Sequence, residues 1–509
     1  MVVHPSPVVL PRLSTLKREP PRRPDQRQAD YMTKFDSQTL FYDVFHSRDR
    51  IELSGPPLLN LHTELRAGAF TDPGGEVLEA QLGDLDRTQR SSIAGDCKVR
   101  YVHLTSPNLS ISISIGQDLS DVFAGHRVLF TKSKNNKLSW IRDWAQFHIA
   151  TQGIDSVLIY DNGSTDYSPE DILEALQDVA GLLSAVIVDW PFPFGPQGGS
   201  WDGLTNAPWD SDFCEYGIME HARRRFLSDA AGVINADVDE LVVTDADRTV
   251  FDVLDASPHS VVSYTGRWIE TAADSEASAS SFADYVYLDT RRPATTAKWA
   301  AVPAEIREAI QWKTHWVNGA PMDKTSSVMH RHFMGINSNW KRDRTGHTNV
   351  DVLYHKVDEV LLSAFNRANL QKSVKGHLSE TVRSSSEQVG WQLAALKEYL
   401  ASSGDIPHPI SRLWFYSPNC LVVDYRWHSR RIAFDIVLEN DNLIIKLLGR
   451  TTSDFQYITD VLKGSGTLRR GGKYLINIIP TTNERFLDLI AETINNIYRR
   501  GQMAFSTPS

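Results

Sequence analysis

Val157-Leu158-Ile159-Tyr160-Asp161-Asn162-Gly163-Ser164-Thr165-Asp166 and, further along, Gly232-Val233-Ile234-Asn235-Ala236-Asp237-Val238-Asp239-Glu240 are built alike. Each is an apolar β-type run that stops abruptly at acidic residues. Strands buried on both faces read as continuous hydrophobic runs of this kind. Carboxylates at the carboxyl ends of such parallel strands point into the crevice where open α/β sheets take ligands. Asp237 and Asp239 alternate along what reads as an extended segment, so both face one side and can share a divalent cation. Asn162, Gly163 and Ser164 make a tight turn, and Asp161 stands where the strand before it ends. A carboxylate there can accept hydrogen bonds from a uracil imide or from ribose hydroxyls. The plainer reading of both acidic stretches is a turn or a helix cap.

Outward from these stretches, strand and helix alternate. Val128–Thr131 reads as a strand. Lys137–Thr151 follows as an amphipathic helix with Leu138, Ile141, Trp144, Ala145, His148 and Ile149 on one face, and Gly153 ends it. Val157–Tyr160, a helix from Pro169 to Val179 and the strand Ala185–Trp190 continue the series. A Pro/Gly/Trp-rich loop from Pro191 to Trp209 and a helix from about Asp212 to Asp229 then lead to Val233–Ala236 and the acidic motif. Such a series predicts a parallel sheet with right-handed crossovers.

The flanks differ. Met1 to about Arg27 is rich in Pro and Arg without an apolar signal core, so residues 1–35 are expected to be a disordered tail. Residues 36–125 read as a β-rich accessory domain, with strands at Leu40–Phe45, Val99–Leu104 and Leu109–Ile115. Residues 126–380 hold the α/β domain. Beyond Asp247, Val261–Tyr264 reads as a strand, Thr271–Ala283 as a mobile loop, and Lys298 to Arg344 is dense in Trp, His and Arg. Residues 381–509 read as a helical linker (Ser386–Leu400) and a C-terminal α+β module. Its strands are Arg431–Leu438, Leu443–Leu448 and Lys473–Ile479, and its closing helix is Asn483–Tyr498.

Composition bounds the class. The 509 residues exceed what one core usually supports, and a hydrophobic content of 41% with 23% charged residues is that of a globular protein. A net charge of −10 argues against duplex nucleic acid as a partner. Cys97, Cys214 and Cys420 lie far apart, neither a metal cluster nor a disulfide framework, which fits a reducing, cytoplasmic setting. No apolar run of about 18 residues predicts a transmembrane helix, leaving peripheral membrane contact open.

The stretches Trp140-Ile141-Arg142-Asp143-Trp144 through Gly153-Ile154-Asp155, Tyr160 to Asp166, and Asp237-Val238-Asp239-Glu240 together resemble the family 2-type and family 92-type glycosyltransferases. The resemblance covers about Val128 to Leu241 well and about Val261 to Arg344 loosely. It implies a GT-A fold: a Rossmann-like, mostly parallel sheet. It also implies transfer of a sugar from a nucleotide-diphosphate donor to a glycan, glycolipid or other hydroxyl acceptor, with inversion. By the same resemblance Asp161 contacts base or ribose, Asp237 the ribose or metal, and Asp239 the metal, Mn²⁺ or Mg²⁺. Many relatives carry a Gln in the helix before the acidic motif. Here that stretch reads Asp212-Phe213-Cys214-Glu215-Tyr216, a departure that leaves no donor contact assigned to this helix. Glu270 falls roughly where inverting relatives place their acceptor-side base, with Asp323 as second choice.

Other residues enter on their chemistry. His330 and His332 alternate as in a strand, and one of them, His332 by preference, is a candidate third metal ligand; packing at an interface is the plainer role. Lys298, Lys341, Arg342 and Arg344 are candidates to pair with a diphosphate. Arg223, Arg224 and Arg225 fan out around a helix and read as solvated or paired with nearby acids. Two other enzyme classes also place acids beside a strand. A nucleotidyltransferase would show a Gly-rich phosphate loop, which does not follow Val128–Thr131. A haloacid-dehalogenase-type phosphatase would carry Thr or Val where Leu241 stands. A non-catalytic carbohydrate-binding protein would account for the 13 Trp and need no metal acids.

Overall fold

The computed structural model describes residues 1–370 apart from 96–97, 197–209, 246–247, 273–280, 339–349 and 351–353, and beyond them the strands between 410 and 480. The chain divides into two compact units, Met1–Ser373 and Val374–Ser509. The 273–280 part of the expected loop, Lys341, Arg342 and Arg344, and the helices expected at Ser386–Leu400 and Asn483–Tyr498 lie outside the described residues.

An eight-stranded, mostly parallel sheet forms the heart of the first unit. Its four main strands, Arg127–Ser133, Ser156–Asp161, Ser184–Asp189 and Gly232–Asn235, run parallel in the spatial order third, second, first, fourth. The chain therefore reverses its direction of winding between the first strand and the fourth. The crevice at such a switch point is where open α/β sheets receive ligands. Lys298–Ala301, antiparallel to both the fourth strand and Val261–Tyr264, and then Asp323–Lys324, parallel to Val261–Tyr264, extend the sheet beyond the fourth.

Helices fill the connections. Leu138–Gln152 buries Trp140, Ile141, Trp144, Phe147 and His148, and stops at Gly153, whose φ of 65° is left-handed. Pro169–Leu176 begins at a reciprocal cap between Ser168 and Asp171. Phe213–Arg225 is buried almost throughout despite its many charges. Its burial rests on ion pairs: Arg225 binds Asp43, and Arg224 lies 2.8 Å from Glu52. Arg223 donates to the backbone carbonyls of Ile310 and Arg307. Of the two readings the triplet allowed, pairing with acids is the one the structure shows, with carbonyls of the 306–310 loop added.

The first 35 residues are built into this unit, not a free tail. Val2–Val3 adds a parallel strand to the sheet edge beside Ser184–Asp189. The buried Arg18 guanidinium donates to the carbonyls of Pro57, Asp36 and Thr39. Arg22 forms a two-pronged pair with Asp210, which also accepts from Tyr31. Arginines that find partners order a segment whose apolar content alone would not. Residues 36–125 form two four-stranded antiparallel sheets around a core that includes Phe41, Val44, Ile51, Phe70, Val102 and Leu104.

A three-stranded sheet completes the first unit and positions the site. Val328–Phe333 lies in its middle, antiparallel to Glu240–Thr244 and parallel to Gly266–Ile269. In the second unit Ile410–Ser417, Cys420–Trp427, Arg430–Glu439, Asn442–Leu448, Tyr474–Pro480 and Leu468–Gly471 form one antiparallel sheet in that order. Among the described residues no helix is long and apolar enough to cross a membrane.

Candidate functional site

A cavity opens at the carboxyl ends of the strands, at the switch point. Lys132, Ser133 and Lys134 border it from the first strand, Asn162 from the second, and Asp237, Val238 and Asp239 from beyond the fourth. His332, Asn337 and Ser338 close it from the three-stranded sheet and the loop after it.

The acidic motif is not extended as its alternation suggested. Ala236 to Asp239 leaves the fourth strand and turns, the Glu240 N–H donating to the Asp237 carbonyl at 2.9 Å, and Glu240 starts a strand of the other sheet. The turn gives each acid a different partner. Asp237 receives Lys132 at 2.9 Å on one oxygen and Lys298 at 2.7 Å on the other. Lys132 also lies 2.6 Å from Glu215, and Lys298 lies 3.0 Å from Glu240. Burial opposes ionisation of Asp237, but the two ammonium groups outweigh it and hold the carboxyl well below the usual range. Burial likewise opposes charge on Lys132, and Asp237 with Glu215 overcomes it. Lys132 and Lys298 thus engage both oxygens of Asp237, the acid whose spacing suggested a cation shared with Asp239.

Asp239 meets His332 instead. The register of Val328–Phe333 sets His332 opposite Glu240 and beside Trp268. Its Nε2 is 3.1 Å from Asp239 and its Nδ1 3.3 Å from Glu240, and the Trp268 ring packs on it with centroids 4.3 Å apart. Burial alone would lower the imidazole, but Asp239 and Glu240 raise it to about 10. His330, on the same face, is fully buried, pairs with Thr295 at 2.7 Å and is pushed down by burial to about 4. Gly266 makes room for this strand: a Cβ there would lie 2.3 Å from the His330 carbonyl oxygen.

Glu240, His330 and His332 each place a donor atom within 4.8 Å of the others. Only His332 of these three borders the cavity, where Asp239 faces it. One carboxylate oxygen and one imidazole nitrogen suit a divalent cation such as Mn²⁺ better than Mg²⁺, which prefers oxygens and keeps its waters. A carboxylate behind the imidazole, as Glu240 is here, fixes ring orientation in metal sites.

The remaining sequence candidates lie as follows. Lys298 is buried between Asp237 and Glu240, away from the cavity wall. Asp161 is buried at the end of its strand and accepts from the Ser164 hydroxyl and, at 3.1 Å, the Ser164 N–H; burial, its largest influence, raises its carboxyl. Its neighbour Asn162 is the one at the cavity, tied to the carbonyls of Trp190 and Phe192. Glu270 is buried in a two-pronged ion pair with Arg292, two residues after Trp268. Asp323 sits in the strand at the far edge of the central sheet. Sequence reasoning passed over Lys132, Lys134 and the partner role of Glu215. The signal for Lys132 was its place directly after the Val128–Thr131 run, level with the acidic motif once the strand order is known.

No family model matches the chain, and no curated protein matches it. Among solved structures it is similar to core-mannan synthase A from Aspergillus fumigatus in its Mn/GDP form, at 8% identity over 28% of this chain and 42% of that one, with a TM-score of 0.20. The match spans under half of that protein, and a likeness so slight carries no weight for fold or chemistry.

Proposed function

We propose that this chain is a glycosyltransferase that takes a nucleoside-diphosphate sugar at the switch-point cavity and passes the sugar, with inversion, to a hydroxyl acceptor. The observation that carries the reading is one cavity bordered by both an acid–imidazole pair, Asp239 and His332, and two cations, Lys132 and Lys134. A diphosphate needs both a cation site and positive charge nearby. Asp239 and His332 would hold Mn²⁺ or Mg²⁺, which when bound neutralises the diphosphate. Asp161 and the Asn162–Ser164 turn that it secures are assigned to the base or ribose. Asp237, at the cavity, sets the shape of the acidic turn with the buried Lys298 behind it. Glu270 is assigned to the acceptor side, where it would take the proton of the attacking hydroxyl once an acceptor displaces Arg292.

Calorimetric titration with UDP and then GDP, with and without Mn²⁺, tests this. One nucleotide should bind in a metal-dependent way, and Asp239→Ala and His332→Ala should each abolish the metal dependence. A folded protein that binds neither nucleotide under any condition overturns the transferase reading.

A further inference from the structure

Seven charged side chains cross the switch point in one unbroken line that alternates in sign. Glu215 meets Lys132 at 2.6 Å, Lys132 meets Asp237 at 2.9 Å, and Asp237 meets Lys298 at 2.7 Å. Lys298 meets Glu240 at 3.0 Å, Glu240 meets His332 at 3.3 Å, and His332 meets Asp239 at 3.1 Å. One end of the line, Asp239 with His332, is suited to a cation. The line also contains two fixed cations, and these are not equivalent. Lys298 is 1% exposed and absent from the cavity wall, whereas Lys132 forms part of that wall beside Ser133 and Lys134. An ammonium group carries three N–H donors. Glu215 and Asp237 engage two of those on Lys132, which leaves one for a ligand.

We infer that Lys132 is the protein's own cation for the diphosphate of the donor, with Asp237 as its counter-ion and Glu215 as the residue that positions it. This rests on the nucleotide-sugar reading and sharpens it. Glu215 then has a physical role. A carboxylate 2.6 Å from Lys132 holds the ammonium at the end of the first strand, where a neutral amide would hold it more weakly. Lys298, with Asp237 and Glu240 on either side, is the structural member of the pair. The donor site thus recognises the diphosphate from two directions: a metal on the Asp239 side and a lysine on the side of the first strand.

The test compares ligands that differ only in phosphate. For the base that the wild type binds, affinities for the nucleoside, the monophosphate and the diphosphate are measured with and without Mn²⁺. The proteins are the wild type, Lys132→Gln and the double variant Lys132→Gln/Glu215→Gln, which removes both ions of the pair and strands no buried charge. Glu215→Gln alone completes the set, with folding checked by circular dichroism. Both Lys132 variants should lose diphosphate affinity about 10- to 100-fold, the worth of a hydrogen bond to an ionised group. Nucleoside affinity should stay within about threefold, a free-energy change well under that of one such bond. Glu215→Gln should give a smaller loss confined to the phosphorylated ligands. A folded double variant with wild-type diphosphate affinity refutes the role of Lys132. A wild type that binds no nucleotide refutes the transferase reading itself, and this inference falls with it.

Discussion

Lys132 Nζ lies 2.9 Å from Asp237 Oδ1, across the boundary between the first and fourth parallel strands. Phe130 and Asn235 are paired in the sheet, so the two side chains stand two residues beyond a matched pair, level with each other at the carboxyl edge. The strand order brings them together, since strands first and fourth in the parallel series become neighbours only at the switch point. The pair divides the acidic motif into two jobs. Both acids border the cavity, but Asp237 balances Lys132 and Lys298 while Asp239 meets His332.

That division predicts opposite phenotypes for two similar substitutions. Asp237→Asn removes the carboxylate shared by Lys132 and the buried Lys298 and should cost about 3 kcal/mol of stability. Asp239→Asn removes one of the two acids on His332, which keeps Glu240, and should cost less than Asp237→Asn while removing the response to Mn²⁺. Urea denaturation of both variants, with metal titration of each, reads the contrast. Equal destabilisation by the two would show that the acids share one role.

His148 should make the protein sensitive to acid. It is fully buried in the Leu138–Gln152 helix, with Nδ1 2.8 Å from the Trp144 carbonyl and Nε2 accepting the Val242 N–H at 3.1 Å. Both contacts are satisfied only by the neutral ring protonated on Nδ1. Burial lowers the imidazole from 6.5 to about 4. The folded state therefore binds its proton later than the unfolded chain as pH falls. The contribution to stability is fully present above about pH 6.5 and is lost as pH drops toward 4, about 3 kcal/mol in all. Denaturant midpoints measured from pH 7 to pH 4 should fall, and His148→Gln should flatten that slope. An unchanged slope in the variant would assign the acid sensitivity to other groups.

The central strands were legible because both faces of a parallel sheet are apolar, and Val157–Tyr160, Ala185–Trp190 and Val233–Ala236 carry that pattern without interruption. The helix from Lys137 was legible from its one apolar face, down to Gly153 at its end. What the sequence hid depends on partners far away in the chain. Arg18 and Arg22 look like tail residues until Thr39, Pro57 and Asp210 supply acceptors. For the arginines of 223–225 the sequence allowed solvation or pairing with acids, but not that Asp43 and Glu52 of the N-terminal sheets would be among the partners. Within the site, the proximity of Asp239 and His332 was anticipated by their residue types alone. The two lysines on Asp237 were not, since a local pattern does not show which strands will be neighbours.

Asp43 ties the N-terminal sheets to the central one. It pairs with Arg225 and lies 2.8 Å from His221 Nε2, while His221 Nδ1 meets the Tyr160 hydroxyl at 2.6 Å, next to Asp161. All of these groups are buried. Asp43→Ala leaves a guanidinium without its carboxylate and should cost about 3–5 kcal/mol. Because the linkage runs from one β-rich sheet into the central strands, unfolding of residues 1–370 should remain a single step. Tryptophan fluorescence and far-ultraviolet circular dichroism should give coincident urea transitions in a 1–370 fragment. Two separated transitions would mean that the N-terminal sheets form an independent domain.

Glu270 offers the sharpest test of the proposed chemistry. It sits two residues after Trp268, whose ring packs on His332, and it is held by Arg292. Arg292 occupies both carboxylate oxygens, so the role assigned to Glu270 requires that Arg292 move away when an acceptor arrives. Glu270→Gln keeps the shape of the side chain and removes its basicity. Turnover of the donor sugar, followed as release of the nucleoside diphosphate, should fall by about 10²- to 10⁴-fold while nucleotide affinity is unchanged. Arg292→Ala should leave the carboxylate free without removing activity. If Glu270→Gln lowers the melting temperature but leaves turnover intact, the Glu270–Arg292 pair is a structural clamp, and the acceptor's proton is taken by another group.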